Sequence, residues 1–331
     1  MLRLGIIGCG RVTTMFHLNA IKASKVIELI SIADRNETQL NEVGKITGVS
    51  HSCSDYHELL ENQYVEAVAI NTPPKLHEEM TIEALNSGKH VLCEKPLSQT
   101  IEGCKSVMDR QSETGLCVLP AHNYIYSPCL TPIKEKIDGG IIGDLSRIEI
   151  VFENFLQGYG SKTDFRITDP KGIVEDIMPH ALSVATVLSG CPEKVIEVSG
   201  SCQRYKVCDN IKATMVTEDN VQLTCTGSWT KLIPHFKLAI EGSKGKISTD
   251  LALNPYSYTV DVNGQEKTFK DRGFDWYLDL VKFKHPSFSE QYKHFNSIIK
   301  EHEPQKFKIE DELSMIKVIQ ILGSEAERMT V

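Results

Sequence analysis

The stretch Gly88-Lys89-His90-Val91-Leu92-Cys93-Glu94-Lys95-Pro96 decides how this chain is read. His90 to Cys93 is too short for a helix and lies between a glycine and a proline, which marks a buried parallel strand stopping at Glu94. A carboxylate and an amine then stand at a strand's carboxyl end. Ligands of open α/β sheets bind along that edge, and an amine there can lose solvation and work near neutral pH. An isolated Glu-Lys pair beside a turn is ordinarily a surface feature, so the decision rests on the neighbouring strands.

Those strands are readable. Leu2 to Ile7 is a short apolar strand, followed by Gly8-Cys9-Gly10-Arg11-Val12 and then by Met15, Leu18 and Ile21 at helical spacing. Strand, glycine turn and helix in that order let backbone N–H groups and the helix's positive end approach a pyrophosphate. Thr13 stands where the usual fingerprint has a third small residue. Val26 to Ala33 forms the next strand and ends at Asp34, where a carboxylate would hold the two ribose hydroxyls of an adenosine. Asp34 favours NAD, while Arg35 beside it leaves NADP open, since it would either stack on adenine or attract a 2′-phosphate. Asn36 is expected to cap a helix with Leu40, Val43 and Ile46 on its inner face.

Tyr56 to Glu61 reads as a helical turn, and Val65 to Ile70 as a third strand stopped by Asn71-Thr72-Pro73-Pro74. A helix through His77, Met80 and Leu85 closes at Gly88 and delivers the chain to the opening strand. Ser98 is expected to cap a helix reaching Thr114, and Leu116 to Ala121 makes a further strand running into His122-Asn123. Five alternations of strand and helix predict a doubly wound parallel sheet. Gly8, Asp34, Asn71, Glu94 and Asn123 should therefore share one edge.

After about Asn123 the pattern changes. A helix is expected from Ser127-Pro128 to Gly139-Gly140, and Leu145 to Phe155 alternates, with Ile148, Ile150 and Phe152 on one face. Further strands fall around Val195 to Ser199, Ile211 to Thr217 and Val221 to Ser228, and Asn263-Gly264 is a hairpin signal. Ile309 to Arg328 is a final helix. The fold class is thus an α/β domain with a doubly wound parallel sheet over 1–123 and an α+β domain with a mostly antiparallel sheet over 124–331, the last helix being free to pack back on the first domain. Residues 269–289 resist placement.

Composition narrows the function. At 331 residues, 41% apolar and 24% charged, the chain is long enough for about two globular domains. Its formal charge of −8 and lack of a basic run argue against nucleic acid and anionic membranes as partners. Ten scattered cysteines include no Cys-x-x-Cys pair and no zinc spacing, so no metal site is expected and the thiols are read as reduced. No apolar run approaches the roughly 18 residues of a membrane span, and the start enters a strand directly, so a cytoplasmic location is expected.

Gly8-Cys9-Gly10-Arg11, Asn71-Thr72-Pro73-Pro74 with His77, Glu94-Lys95-Pro96-Leu97, Asn123, and Asp176 followed four residues later by His180 together resemble the glucose-fructose oxidoreductase, inositol dehydrogenase and MocA (Gfo/Idh/MocA) family over nearly the whole chain. The resemblance implies a Rossmann domain, a second domain whose open sheet forms homodimer or homotetramer contacts, and nicotinamide bound between them. It implies Lys95, Asp176 and His180 as catalytic landmarks. It also implies a cofactor site built from Gly8, Cys9, Gly10, Arg11, Val12, Asp34, Arg35, Asn71, Thr72, Pro73, His77, Glu94, Lys95 and Asn123. Lys95, Asn123, Asp176 and His180 would meet substrate, joined by Phe165 and Arg166 of a family-like segment and by nearby Tyr159. Three departures stand out: Tyr124 and Ile125 replace a pair of arginines, Met178 replaces a common glycine, and Ser183 replaces a common second aspartate.

The implied activity is NAD(P)-dependent oxidation or reduction at a secondary hydroxyl of a sugar, sugar derivative, nucleotide sugar or cyclitol, so the expected partner is a small polyol. The competing reading is a non-catalytic dinucleotide-binding regulator of the same fold. Retention of Lys95, Asp176 and His180 together argues against it. Pro179 suggests the first turn of a helix, which would put His180 at a helix start and Asp176 in the strand end or loop before it.

Overall fold

The computed structural model describes residues 1–156, 165–272, 276–282 and 284–330. The chain divides into two compact units, Met1–Asn123 with Leu278–Leu313, and Tyr124–Tyr277 with Ser314 onward. The second half expected as one domain over 124–331 thus gives residues 278–313 to the first unit.

In the first unit β1 (Leu2–Ile7), β2 (Ile27–Ala33), β3 (His51–Cys53), β4 (Ala67–Ile70), β5 (His90–Cys93) and β6 (Val118–Pro120) form one sheet in the order β3-β2-β1-β4-β5-β6. Every pair is parallel. The strands are short and buried on both faces, which is why they read as continuous apolar runs. The helices between them are α1 (Leu18–Ser24), α2 (Glu37–Thr47), α3 (Tyr56–Glu61), α4 (His77–Asn86) and α5 (Ile101–Thr114). Strand order reverses between β1 and β4, the place where such sheets open a ligand crevice. The five residues expected to share an edge do so. Gly8 N–H donates to Ala33, Asn71 N–H to Ile7, Glu94 N–H to Ile70 and Ala121 N–H to Cys93, stitching successive strand ends together.

Two local expectations in this unit fail. Ile46 is mostly exposed instead of facing inward, because Leu40 and Val43 already fill the buried stripe of α2. The cap of α5 is Thr100, which is extended and accepts the Gly103 N–H, while Ser98 turns to accept the Thr100 N–H.

The second unit begins with α6 (Leu130–Asp138), two residues later than the Ser127-Pro128 start expected. Its sheet comprises β7 (Leu145–Phe155), β8 (Pro192–Ser201), β9 (Asn210–Thr217), β10 (Gln222–Ser228), β11 (Thr230–Gly242), β12 (Gly245–Asp250), β13 (Ser257–Val262) and β14 (Gln265–Lys270). They lie in the order β14-β13-β12-β11-β7-β10-β9-β8, antiparallel throughout except for β7 beside β10. The Asn263-Gly264 hairpin forms as read, with φ values of 54° and 80° that these residue types tolerate. Ile148, Ile150 and Phe152 are buried, and α7 (Ile173–Ser189) packs on β7, β9 and β10.

That helix corrects the sequence reading. It begins at Ile173, not at Pro179, so Asp176 and His180 sit on one helical face a turn apart. Gly172 precedes it at φ 53°, where an added Cβ would fall 2.2 Å from the Cys208 carbonyl oxygen, and the Ile173 N–H donates to that same carbonyl. Burial of Ile173, Val174, Ile177 and Met178 starts the helix ahead of the proline despite the hydrogen bond that Pro179 forfeits.

The stretch 269–289 that resisted placement ends β14, forms α8 (Trp276–Val281) and opens α9 (Pro286–Glu301). α9 returns to the first unit and lies on α1, placing Tyr292 and Phe295 in its core. The last helix, α10 (Ile309–Met329), starts in the first unit and continues into the second.

Candidate active site

The glycine turn after β1 is shaped by close approach. Gly8 has φ 99°, and a Cβ there would fall 2.7 Å from the Asn71 carbonyl oxygen. Gly10, in contrast, has nothing among the described residues within 4 Å of where a Cβ would stand, which leaves its surroundings open. Thr13 explains its departure from the fingerprint. It is buried, its hydroxyl donates to the Gly8 carbonyl at 2.6 Å, and the Asn71 amide donates to it at 3.0 Å. Asn71 is buried too, and its Oδ1 has no hydrogen-bond partner among the described residues. Asp34 is half-buried at the end of β2 and accepts the N–H groups of Cys9 and Asn36, both at 2.7 Å. Burial and then the Asp34 charge push the Cys9 thiol up to about 12, so it stays a neutral packing group whose backbone, not sulfur, serves the turn. Arg11, Arg35 and Pro73 are exposed, and Val12 and Thr72 half-buried, along the same edge. An open glycine cradle, an orphan acceptor and a carboxylate at the second strand's end fit a dinucleotide.

At the end of β5, Glu94 and Lys95 are both half-buried and Pro96 is buried. Glu94 Oε1 is 2.9 Å from His17 Nε2, and Oε2 accepts the Lys95 N–H at 3.2 Å. His17 Nδ1 is 2.8 Å from the Tyr292 hydroxyl. Burial, then the Glu94 charge, hold the Tyr292 phenol well above its ordinary range, so it remains an O–H donor. Burial opposes ionisation of Glu94, but the His17 hydrogen bond and the charges of His17, Lys95 and His77 outweigh it and pull its carboxyl below the usual range. Neither His17 nor Tyr292 was singled out in the sequence. His17 lies in a π-helical turn, Thr13–His17, that breaks the 3.6-residue spacing, and its partner is 275 residues away.

Two of the expected cofactor residues have buried side chains with protein partners. His77 is buried, with Nδ1 2.7 Å from the Pro96 carbonyl oxygen and Nε2 2.7 Å from that of Thr72. Asn123 is buried and its amide donates to Ser287 Oγ at 2.9 Å, tying the end of β6 to the start of α9. Both are strand-end residues whose side chains are consumed by neighbouring backbone or helix before any ligand is present. His122, beside Asn123, pairs in the buried core with Glu312 at 2.6 Å.

In the second unit Asp176 Oδ1 lies 3.1 Å from Arg166 Nε, and Oδ2 accepts from the indole N–H of Trp229 at 3.3 Å. Trp229 is fully buried and was not anticipated, because a lone tryptophan in a strand run reads as core. His180, half-buried one turn along, meets the rings of Tyr124 and Phe152, with centroids 5.3 and 5.6 Å away. Phe236 stacks on Phe152 at 4.5 Å and also meets Tyr124. Tyr124 thus puts an aromatic wall beside His180. The Met178 departure does not reach the site: Met178 is buried, with its Cε 3.0 Å from where Gly227 would carry a Cβ, so a large residue on α7 fills the space left by a small one on β10. Ser183 is also buried and donates to the His180 carbonyl at 3.0 Å. Phe165 opens a short 3-10 turn with Arg166, whereas Tyr159 lies outside the described residues.

Known proteins share this fold and both of its domains. The profile of an oxidoreductase family with an NAD-binding Rossmann fold matches residues 2–122, and that of the GFO/IDH/MocA C-terminal domain matches 131–248. An uncharacterized oxidoreductase of Rhizobium meliloti is 26% identical, covering 99% of this chain and 98% of its own. The myo-inositol 2-dehydrogenase of Thermotoga maritima is 26% identical over 94% of this chain and 92% of its own. The fold of levoglucosan dehydrogenase in complex with NADH superimposes with a TM-score of 0.86 at 18% identity, covering 99% of this chain and 98% of that one. With a parallel sheet reversing at the glycine turn, the Glu94-Lys95-Pro96 strand end and matches to both domains, the chain belongs to the Gfo/Idh/MocA family of NAD(P)-binding oxidoreductases.

Proposed function

We propose that this oxidoreductase interconverts a secondary alcohol and a ketone on a sugar, sugar derivative, nucleotide sugar or cyclitol, with Lys95, Asp176 and His180 carrying the chemistry. The observation that supports it most is the face of α7, where Asp176 and His180 stand a turn apart and Asp176 is held by Arg166 and Trp229. Relatives named for myo-inositol and levoglucosan support the substrate class.

Oxidising such an alcohol removes a hydride and a proton from adjacent atoms. Bound nicotinamide supplies the hydride acceptor. His180 takes the hydroxyl proton, and the Asp176 carboxylate one turn away favours the imidazolium that results. Lys95 places positive charge beside the oxygen as it becomes an alkoxide. Asp34 receives the ribose hydroxyls, so NAD is preferred over NADP. Gly8 to Val12 cradle the pyrophosphate, Arg35 borders the adenosine, and Asn71, Thr72, Pro73 and Glu94 border the nicotinamide half. Arg166 meets substrate, and the aromatic wall of Tyr124, Phe152 and Phe236 orients the His180 ring. The protein works in the cytoplasm as a homo-oligomer joined through the open sheet of β7 to β14.

A panel of sugars, nucleotide sugars and cyclitols, read by nicotinamide absorbance with NAD and with NADP, tests this directly. Turnover of one ring polyol with NAD is the expected result. Tight NADH binding without turnover of any alcohol would favour the regulator reading instead.

A further inference from the structure

Both ring nitrogens of His77 point at backbone carbonyls, Pro96 O at Nδ1 and Thr72 O at Nε2, each 2.7 Å away. A carbonyl oxygen only accepts, and a neutral imidazole has one N–H and one lone pair. In either neutral tautomer one nitrogen lone pair would face a carbonyl lone pair at hydrogen-bond distance, in a place water does not reach. The doubly protonated ring satisfies both acceptors at once. We propose that His77 is a permanent buried imidazolium that clamps the turn after β4 to the turn after β5, and is thereby the positioning residue for Lys95.

The clamp's location gives it this role. Thr72 follows the Asn71 strand end, and Pro96 directly follows Lys95, so the ring spans the two adjacent turns at the carboxyl ends of the parallel β4–β5 pair. Forces oppose the charge. Burial disfavours it, and His77 opens α4, where the helix's positive end repels a cation. On the other side are, first, the negative charge of a Cys93 thiolate and its hydrogen bond, then the two carbonyls, with charge-assisted bonds roughly twice as strong as neutral ones. The balance raises the ring to about 9. Glu94 faces it from the end of β5, and Glu78 and Glu79 follow it on α4. Cys104 of α5, the helix packed on α4, faces Glu78.

The same charge has a thermodynamic signature. A ring held near 9 when folded and near 6.5 when unfolded contributes stability in full below pH 6.5, and that stability is lost as pH rises through 9.

The role in positioning Lys95 rests on the catalytic reading above, whereas the charge state does not, so the experiment has two arms. Protein labelled with ¹⁵N in its histidine rings is followed by two-bond ¹⁵N–¹H spectra from pH 6 to 10. His77 is identified by loss of its signals in His77→Gln, or by through-bond correlation to its backbone in the unaltered protein if that variant does not fold. Two imidazolium-type nitrogens persisting at pH 8 are expected; a neutral His77 ring at pH 7 overturns the proposal. In the second arm, kcat of His77→Gln should fall by about tenfold to a hundredfold, as misplacing a reacting group does, while the NADH dissociation constant changes by less than about threefold. Unchanged kcat in a folded variant would remove the positioning role. If the unaltered protein turns over no alcohol, the catalytic reading fails, and the spectra still decide the charge.

Discussion

The strand-end edge of the first unit and the α7 face of the second present their polar groups in opposite ways. Along the edge, Asp34, Glu94, His77 and Asn123 are each fixed by backbone or by a distant buried side chain. On α7, Asp176 and His180 project from a helix toward an arginine, an indole and a set of rings. On the function proposed above, a cofactor common to many reactions would meet a preformed cradle, its groups pinned beforehand. A substrate that differs from relative to relative would then be met by side chains on a packed helix, whose neighbours can be exchanged without disturbing the sheet. The Tyr124 and Met178 departures follow this logic, the first changing the wall beside His180 and the second remaining in the core.

The largest effects should come from the two sides of the chemistry itself. His180→Ala and Lys95→Met are each expected to lower kcat by about a hundredfold or more while NADH affinity measured by fluorescence stays within about threefold. The pH profile separates them. His180→Ala should lose the acidic limb belonging to the base, and Lys95→Met should keep it. Retention of that limb in His180→Ala would move the base to another group.

Cofactor choice is a smaller and purely edge-side effect. NAD should bind more tightly than NADP, and Asp34→Ser should narrow the ratio by about tenfold, the value of one hydrogen bond to a charged group, with kcat on the better cofactor little changed. Equal affinities in the unaltered protein would remove Asp34 from this role.

The smallest effect tests how α9 is fastened beside the edge. Burial alone would raise the Glu66 carboxyl, but Lys300 of α9 at 2.6 Å and Arg3 at 3.2 Å outweigh it and hold it down to about 2. A depressed carboxyl contributes stability above its unfolded value near 4.5 and loses it as pH falls toward 2. Lys300→Met should therefore cost up to about 1 kcal/mol in urea unfolding at pH 7 and much less near pH 2, in keeping with a partly exposed pair. An equal cost at both pH values would assign the effect to packing of the lysine stem.

Much of the first unit was legible because the strands announce themselves as short apolar runs and the turns between them carry glycine, proline, aspartate or asparagine. Those signals are local, so Gly8, Asp34, Asn71 and Glu94 could be placed on one edge before any coordinates. The second unit was legible where strands alternate, as in β7 and the Asn263-Gly264 hairpin, and less so over β11 and β12, which carried no turn signal that was recognised. The start of α7 was misplaced because proline's local preference suggested a first turn, whereas the burial of four apolar residues ahead of it set the true start.

The sequence by itself determined the parallel sheet, the glycine turn, the carboxylate at the second strand and the Glu94-Lys95 strand end, since each follows from residues near one another in the chain, whereas Asp176 and His180 were marked only by the family resemblance. Only the tertiary structure decided that His17 reaches Tyr292, that Trp229 holds Asp176, and that His77 and Asn123 face inward. A side chain's hydrogen-bond partner and its access to water depend on which distant segment is packed against it. No local pattern encodes the return of α9 across 164 residues to meet Asn123 beyond the end of β6.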